Sequence, residues 1–342
     1  AVNGALAGDI DITVAGNVSF TAGDSIRQHV QLGHGGRDSS HAGNKDGDIS
    51  LSAGGNISFA AGGQESFAQL GHGGYSSAAI GAGIGINGDI SVSAGTAGAG
   101  GIDFRGGTWR DAYAQLGHAG RSTRTIATGN IDVTAVDDIL FVAGTKGVTE
   151  NTVSVDEDGR MSATLGHGGY DADANITQSN TRVAGLGHTG DISVVTTTGD
   201  INFFGGNVAN GSAGDVTVNR GRMLIAQLGH GGIAANGDHT GAINVSADAG
   251  SINFVAGNAD DNSGDRYHFA QLGHGGVGAN WGNNGDEGVL SGASQGLVAV
   301  DGITVNAGNA VNFTGGASSA LGITNASNQN YALLGMGGYN YD

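Results

Sequence analysis

Histidine is the one side chain in this sequence whose type and spacing together suggest chemistry. His34, His72, His118, His167, His188, His230 and His274 each follow a Leu-Gly pair, most within Gln-Leu-Gly-His-Gly-Gly, and Met336 takes the equivalent place near the end. Imidazole can ligate metal, shuttle protons or link hydrogen bonds. A metal centre needs several ligands converging at roughly 2.0–2.1 Å, and a row with one ring per repeat offers pairs at best. A proton wire has no other residue that calls for it. The remaining reading is a structural column, with rings passing N–H···N bonds along the row or bonding carbonyls at the Gly-rich corner. Replacement by Met336 fits a partly apolar setting. Two imidazolium charges about 4.8 Å apart would repel by about 3–4 kcal/mol at an effective dielectric of 20. The column is therefore expected to be neutral at pH 7, with stability falling below about pH 6.

Other candidates are weaker. Gln31, Gln69, Gln115, Gln227 and Gln271 precede the same Leu and suggest an amide ladder rather than a ligand-contacting row. Asp171, Asp173 and Asn175 alternate like the start of a calcium loop, and Asp260, Asp261, Asn262 and Asp265 form a second acidic loop. Both lack the sixth-position Gly and closing Glu of an EF-hand, so Ca²⁺ is a minor expectation and no other cofactor is expected. Asp9, Asp48, Asp89 and Asp191 open the first strand of four repeats and suit turn bonding. Glycan-cleaving β-helices need carboxylates converging on a groove. No acidic and basic cluster interrupting the repeat is evident, so the chain is expected not to be an enzyme. Regular Thr-x-Thr rows are absent apart from Thr196 to Thr198.

These residues must be positioned by an unusual scaffold. The 342 residues include 69 Gly, no Pro and no Cys, with 6% aromatic and 13% charged side chains. A formal charge of −18 disfavours nucleic acid and anionic membrane partners. No apolar run reaches the roughly 18 residues of a spanning helix, so membrane insertion is not expected. The start, Ala1-Val2-Asn3-Gly4, lacks signal-peptide zones and Met, as a processed product or a segment would. Without Cys there is neither a disulfide framework nor a thiolate site. Acidic, Cys-free, Gly- and Ala-rich repeats are common in large secreted bacterial surface proteins, which sets the expected location as extracellular or cell surface.

The scaffold is a repeat. Residues 47 to 74 show it most clearly, with three short segments in which Ile49 and Leu51, Ile57 and Phe59, then Ala68 and Leu70 alternate with small or polar residues. That period of two marks strands with one buried face. The first pair recurs from Ile10/Ile12 to Ile303/Val305. The second ends in Phe20, Phe59, Phe104, Phe141, Phe203, Phe254 and Phe313, seven of the ten phenylalanines. Equivalent residues recurring in one chain direction imply parallel, in-register stacking. The expected fold is all-β, a three-sided parallel β-helix of about seven to eight coils with variable loops, forming a single β-solenoid domain over 1–342. Its Phe column would supply on the order of 10 to 20 kcal/mol of gross transfer free energy. Segment 182 to 190 carries an additional Leu-Gly-His without its own Ile/Phe pair. The last repeat, with Tyr331, Met336 and the tail Tyr339 to Tyr341, is atypical, as a junction or a cap would be.

The pattern Gly-Asp-Ile-x-Val-x-Ala-Gly-Gly-x-Ile-x-Phe-x-Ala-Gly followed by Ala-Gln-Leu-Gly-His-Gly-Gly resembles the repeats of filamentous haemagglutinin-like large exoproteins, secreted by bacterial two-partner systems. The likeness runs from Gly8 to Gly338. It implies a right-handed parallel β-helix, export across the outer membrane, and adhesion, aggregation or matrix building. The family's Asn-Pro-containing secretion domain has no counterpart in this Pro-free sequence. The functional expectation is an extracellular fibre or surface-filament segment that self-associates end to end. The alternative is an adhesin module whose loops, such as 145 to 160 and 277 to 298, contact a host or neighbouring-cell receptor or glycan.

Overall fold

Short runs of β-branched residues punctuated by glycine favour strands that end abruptly, and the strands here are all parallel. The computed structural model describes residues 4–39, 43–76, 85–107, 111–123, 125–144, 160–169, 186–205, 223–233, 237–257, 266–277, 301–315 and 328–337. Among these residues every regular element is a β-strand, and no helix is long and apolar enough to cross a membrane.

Three seven-stranded parallel sheets form the walls of a β-solenoid. The first begins with Ile10–Val14 and Ile49–Ala53 and ends with Ile303–Ala307. The second runs from Val18–Thr21 to Val311–Thr314, and the third from His29–Leu32 to Asn328–Leu334. Register is unbroken: Ile10, Ile49, Ile90, Ile131, Ile192, Ile243 and Ile303 are successive partners. At about 4.8 Å per coil the stack is about 35 Å long.

Inside, the seven phenylalanines form one column with ring centroids 4.6 to 5.1 Å apart and planes at most 11° from parallel. Phe59, Phe104, Phe141, Phe203 and Phe254 are fully buried against the Ile and Val columns of the first sheet and the Leu column of the third.

Two features depart from the sequence expectation. The solenoid has a short additional side, made by Leu6–Ala7, Lys45–Asp46, Gly85–Asn87 and Ile126–Thr128 and continued by single bridges from Thr128 to Thr189 and Thr240. Segment 186–190 belongs to this side, immediately before Ile192–Thr196. It is not an additional third strand, and the described residues form seven coils. The second departure is that the outer faces are not uniformly wet. Val142, Phe204 and Val255 form a second apolar cluster on the outside of the second sheet. On the third sheet Phe67 and Gln69 are as buried as Ala68 and Leu70. Only the first sheet keeps an unburied outer row along all seven strands.

Glycine is required where each third strand ends. Gly33, Gly71, Gly117, Gly166, Gly229, Gly273 and Gly335 have φ between +143° and +151°, a conformation that L side chains rarely adopt. A Cβ on Gly117 would also collide with the Gly166 carbonyl in the next coil. This constraint fixes the Leu-Gly-His spacing before any role of the histidine is considered.

Phe141→Ala, in the middle of the ring column, is expected to destabilise the protein by about 3–5 kcal/mol, read from the urea midpoint. Thr134→Ser on the outer first sheet should stay within about 0.5 kcal/mol. A Phe141→Ala loss below about 1 kcal/mol would contradict the packed column.

Candidate functional site

Past the glycine just described, the chain turns the next side chain toward the start of its own coil. His34, His72, His118, His167, His230 and His274 stack with centroids 4.7 to 4.9 Å apart and planes within 8°. Five of these rings use both nitrogens, and His34, at the start of the column, uses Nε2. Nδ1 of His72 accepts the backbone N–H of His34 at 2.8 Å, and His118, His167, His230 and His274 do the same for the coil before them at 2.9 to 3.1 Å. Nε2 lies 2.7 to 2.9 Å from the carbonyls of Gly8, Gly47, Gly88, Gly129, Gly190 and Gly241. Because Nδ1 accepts a proton already held by the backbone, the five bonded rings are the Nε2–H tautomer and donate to glycine. Each histidine thus closes its coil, joining the end of the third strand to the approach of the first, and ties it to its neighbour. The N–H···N bonds run from backbone to ring rather than from ring to ring. Met336 ends the column, with Sδ accepting the His274 N–H at 3.3 Å.

His188 is not in this column. It lies on the short side with His239, their centroids 4.9 Å apart. His188 Nδ1 accepts the Ala127 N–H at 3.1 Å, and His239 Nδ1 accepts the His188 N–H at 3.0 Å. The shared tripeptide misleads because register is set by distance to the next Gly-x-Ile. His188 precedes Ile192 by four residues, as His239 precedes Ile243, Lys45 precedes Ile49 and Ile86 precedes Ile90. That constant offset was the signal for His239 and for Lys45, neither of which stands out by motif.

Burial governs protonation. It holds His72 and His167 down to about 4, only partly offset by Nε2–H bonds to glycine carbonyls. His118 and His230 are pushed well below the ordinary imidazole value by burial and then by neighbouring imidazoles. His274 is lowered by burial. Lys45 is fully buried, a register partner of Leu6 and Ile86, and its Nζ has no hydrogen-bond partner among the described residues. Loss of hydration lowers its ammonium pKa.

The remaining polar columns differ in how they bond. Gln31, Gln69, Gln115, Gln227 and Gln271 align, but their amides donate to glycine carbonyls of the next coil, as Gln31 Nε2 does to Gly71 O at 2.9 Å. The turned-out carbonyls at this corner outcompete a neighbouring amide. An amide-to-amide ladder occurs instead on the second sheet, from Asn312 to Asn253 to Asn202 at 2.8 Å per step. Asp9, Asp48, Asp89 and Asp191 bond across coils, each Oδ1 accepting the backbone N–H of the residue at the same place in the next coil, at 2.7 to 3.0 Å.

The sequence expectation of no clustered acids and bases is corrected at one corner of the first three coils. Arg27 and Arg37 reach Glu65 at 2.8 and 3.1 Å, and Arg121 reaches Asp111 at 3.1 Å. Arg37 and Arg121 lie over Tyr75, with Cζ 4.1 and 4.9 Å from its centroid. Loops of different length hide this grouping in the sequence. Its carboxylates are engaged by guanidinium groups, which suits corner packing. No group of three or more His, Cys, Asp or Glu among the described residues is arranged to hold a metal ion. Asp171, Asp173 and Asn175, and the 260–265 loop, lie outside the described residues, as do the variable loops apart from their end residues. Compared with protein-family models, curated proteins and solved structures, the chain matches none.

Two outcomes are expected. Between the unfolded imidazole pKa near 6.5 and the folded values of about 4 for His72 and His167, the unfolded chain binds protons that the folded chain refuses, so stability falls as pH falls. Each buried ring contributes up to about 1.4 kcal/mol per pH unit in that window. Thermal midpoints should decline steadily from pH 6.5 to 4.5, and a flat profile would refute the buried neutral column. Lys45→Met should stabilise the protein by about 1–3 kcal/mol, since it keeps the aliphatic stem and removes an unsatisfied buried donor. A fall in the urea midpoint would show that Nζ is bonded.

Proposed function

We propose that this chain is an extracellular structural and adhesive β-solenoid, a fibre or surface-filament segment whose coils add in series. The observation that carries the reading is the uninterrupted register of the three seven-stranded sheets. Each inward column repeats a residue type that tolerates its own copy at one strand spacing, so a further coil of the same design, from the same polypeptide or a second copy, finds a matching edge. The first coil offers Ile10, Ile12, Val18 and Phe20, and the seventh offers Ile303, Val305, Val311 and Phe313, all incompletely buried.

The reading is non-catalytic. His72, His118, His167, His230 and His274 have both ring nitrogens committed to backbone groups, and the clustered carboxylates face arginines. The resemblance of the repeat to filamentous haemagglutinin-like exoproteins supports placement at a bacterial surface, and end-to-end self-association is the form of partnership proposed.

Electron microscopy of the purified chain should show filaments with an axial repeat of about 35 Å per protomer, insensitive to salt because the joints are backbone ladders and apolar columns. Dispersed short rods would overturn end-to-end joining and favour a separate adhesin module acting through its loops.

A further inference from the structure

A trench of about 520 Å³ crosses the first four coils at the corner where the first sheet turns into the second. That volume lies within the roughly 300–1,000 Å³ of small-ligand sites. One wall is the column Asn17, Asn56, Gly101 and Asp138, and the other is the outward row Ser19, Ser58, Asp103 and Leu140. The column loses its side chain at Gly101, where a Cβ would approach the Asp138 carbonyl to 2.5 Å.

The walls offer mixed hydrogen-bonding groups. Asn17 and Asn56 use Oδ1 to accept the backbone N–H of Asn56 and Gly101, which leaves their NH₂ groups as donors. Ser58 donates to Ser19 at 3.0 Å, and both hydroxyl oxygens retain acceptor capacity. Asp103 Oδ2 accepts from Arg105 Nε at 2.8 Å and its Oδ1 is buried, so the carboxylate acceptor on the walls is Asp138, whose Oδ1 takes the Asp200 N–H at 2.7 Å and whose Oδ2 remains. Floor backbone groups are taken by the ladder, as in Ile57 N–H to Gly101 O. A peptide strand therefore finds no edge here, and recognition falls to side chains. Hydroxyl groups suit these walls because each can donate to a carboxylate and accept from an amide. Hydrogen-bonding side chains stand along the trench in all four coils, Asn17 and Ser19, Asn56 and Ser58, Asp103, then Asp138, so the matching ligand is an elongated chain of polyhydroxylated units. Asp103, Asp137 and Asp138 line it with no Lys or Arg among the lining residues, Asp103 being paired with Arg105 beside it, on a chain of charge −18. That balance repels acidic polymers.

We propose that this trench binds an uncharged oligosaccharide lying along the solenoid axis across successive coils. The proposal goes beyond the scaffold role, which does not depend on it. Cellohexaose and N-acetylchitohexaose, titrated into the isotope-labelled full chain, should produce saturable amide shifts at Ser19, Ser58, Gly101 and Asp103. A hyaluronan hexasaccharide should produce none. Ser58→Leu puts into the trench a side chain already present in the same row at Leu140, so the thermal midpoint should hold while affinity falls roughly ten-fold. Ser93→Leu, on the first sheet, should bind normally. If Ser58→Leu lowers the midpoint, Ser19→Leu is the second blocking variant. Absence of shifts with both neutral sugars, equal shifts with hyaluronan, or full binding by the blocked variants each overturns the assignment, while the filament experiment is untouched by any of them.

Discussion

Neighbouring coils are held at the spacing of backbone hydrogen bonds, so every side chain lives about 4.8 Å from its own equivalent above and below. Few residue types accept that on a buried face. Ile and Val interlock, Phe stacks face to face, and Gly permits the turn between strands. A buried charge repeated at this spacing would pay desolvation and mutual repulsion together. The inward columns contain Ile, Leu, Val, Phe and Ala for this reason, and the repeating carboxylates of Asp9, Asp48, Asp89 and Asp191 sit at exposed or half-exposed strand entrances.

Histidine satisfies the same constraint by a different route. A neutral imidazole is flat enough to stack on itself, and it carries one donor and one acceptor pointing in different directions. The corner needs both, an acceptor for an N–H of the preceding coil and a donor for a glycine carbonyl of its own. Asparagine or glutamine could supply the atoms without the rigid ring that fills the space between them. Met336 shows what remains when the donor is removed. Its sulfur still accepts from His274, but a thioether has no proton for a carbonyl, so the seventh corner lacks this closure.

Much of the fold is written in the repeat because each column is visible as a residue type at a fixed offset. Ile10 to Ile303, Phe20 to Phe313 and the Leu-Gly-His corner follow from offsets within one coil, which loop length cannot disturb. What was hidden depends on relations across loops or on the absence of a repeating type. The short side has no signature residue, since Leu6, Lys45, Ile86, Ala127, His188 and His239 occupy one column. His188 shares the Leu-Gly-His tripeptide with the corner column, but its distance to the following Ile192 puts it on the short side. The grouping of Arg37, Tyr75 and Arg121 leaves no repeating signature because it alternates types down a column, a cation on a ring on a cation. The trench at Gly101 arises from a side chain that is missing rather than present.

The irregular columns also give the solenoid distinct sides. Arg27, Arg37 and Arg121 gather with Glu65 and Asp111 around the third strands of the first coils, where the outer face is buried from the second coil onward. The first sheet carries small residues such as Ser50, Ser52, Ser91 and Ser93 outward, and its entrances bear the aspartate column. Backbone stacking imposes the same geometry on all three walls, so this asymmetry comes from outward side chains alone. A coil can therefore change what it presents to its surroundings without disturbing the ladder beneath. Inward positions are bound to their copies, whereas outward ones, as Ser58, Asp103 and Leu140 show in a single row, are free to differ from coil to coil. Recognition by a molecule of this kind is expected where an outward row or a corner breaks its own repeat.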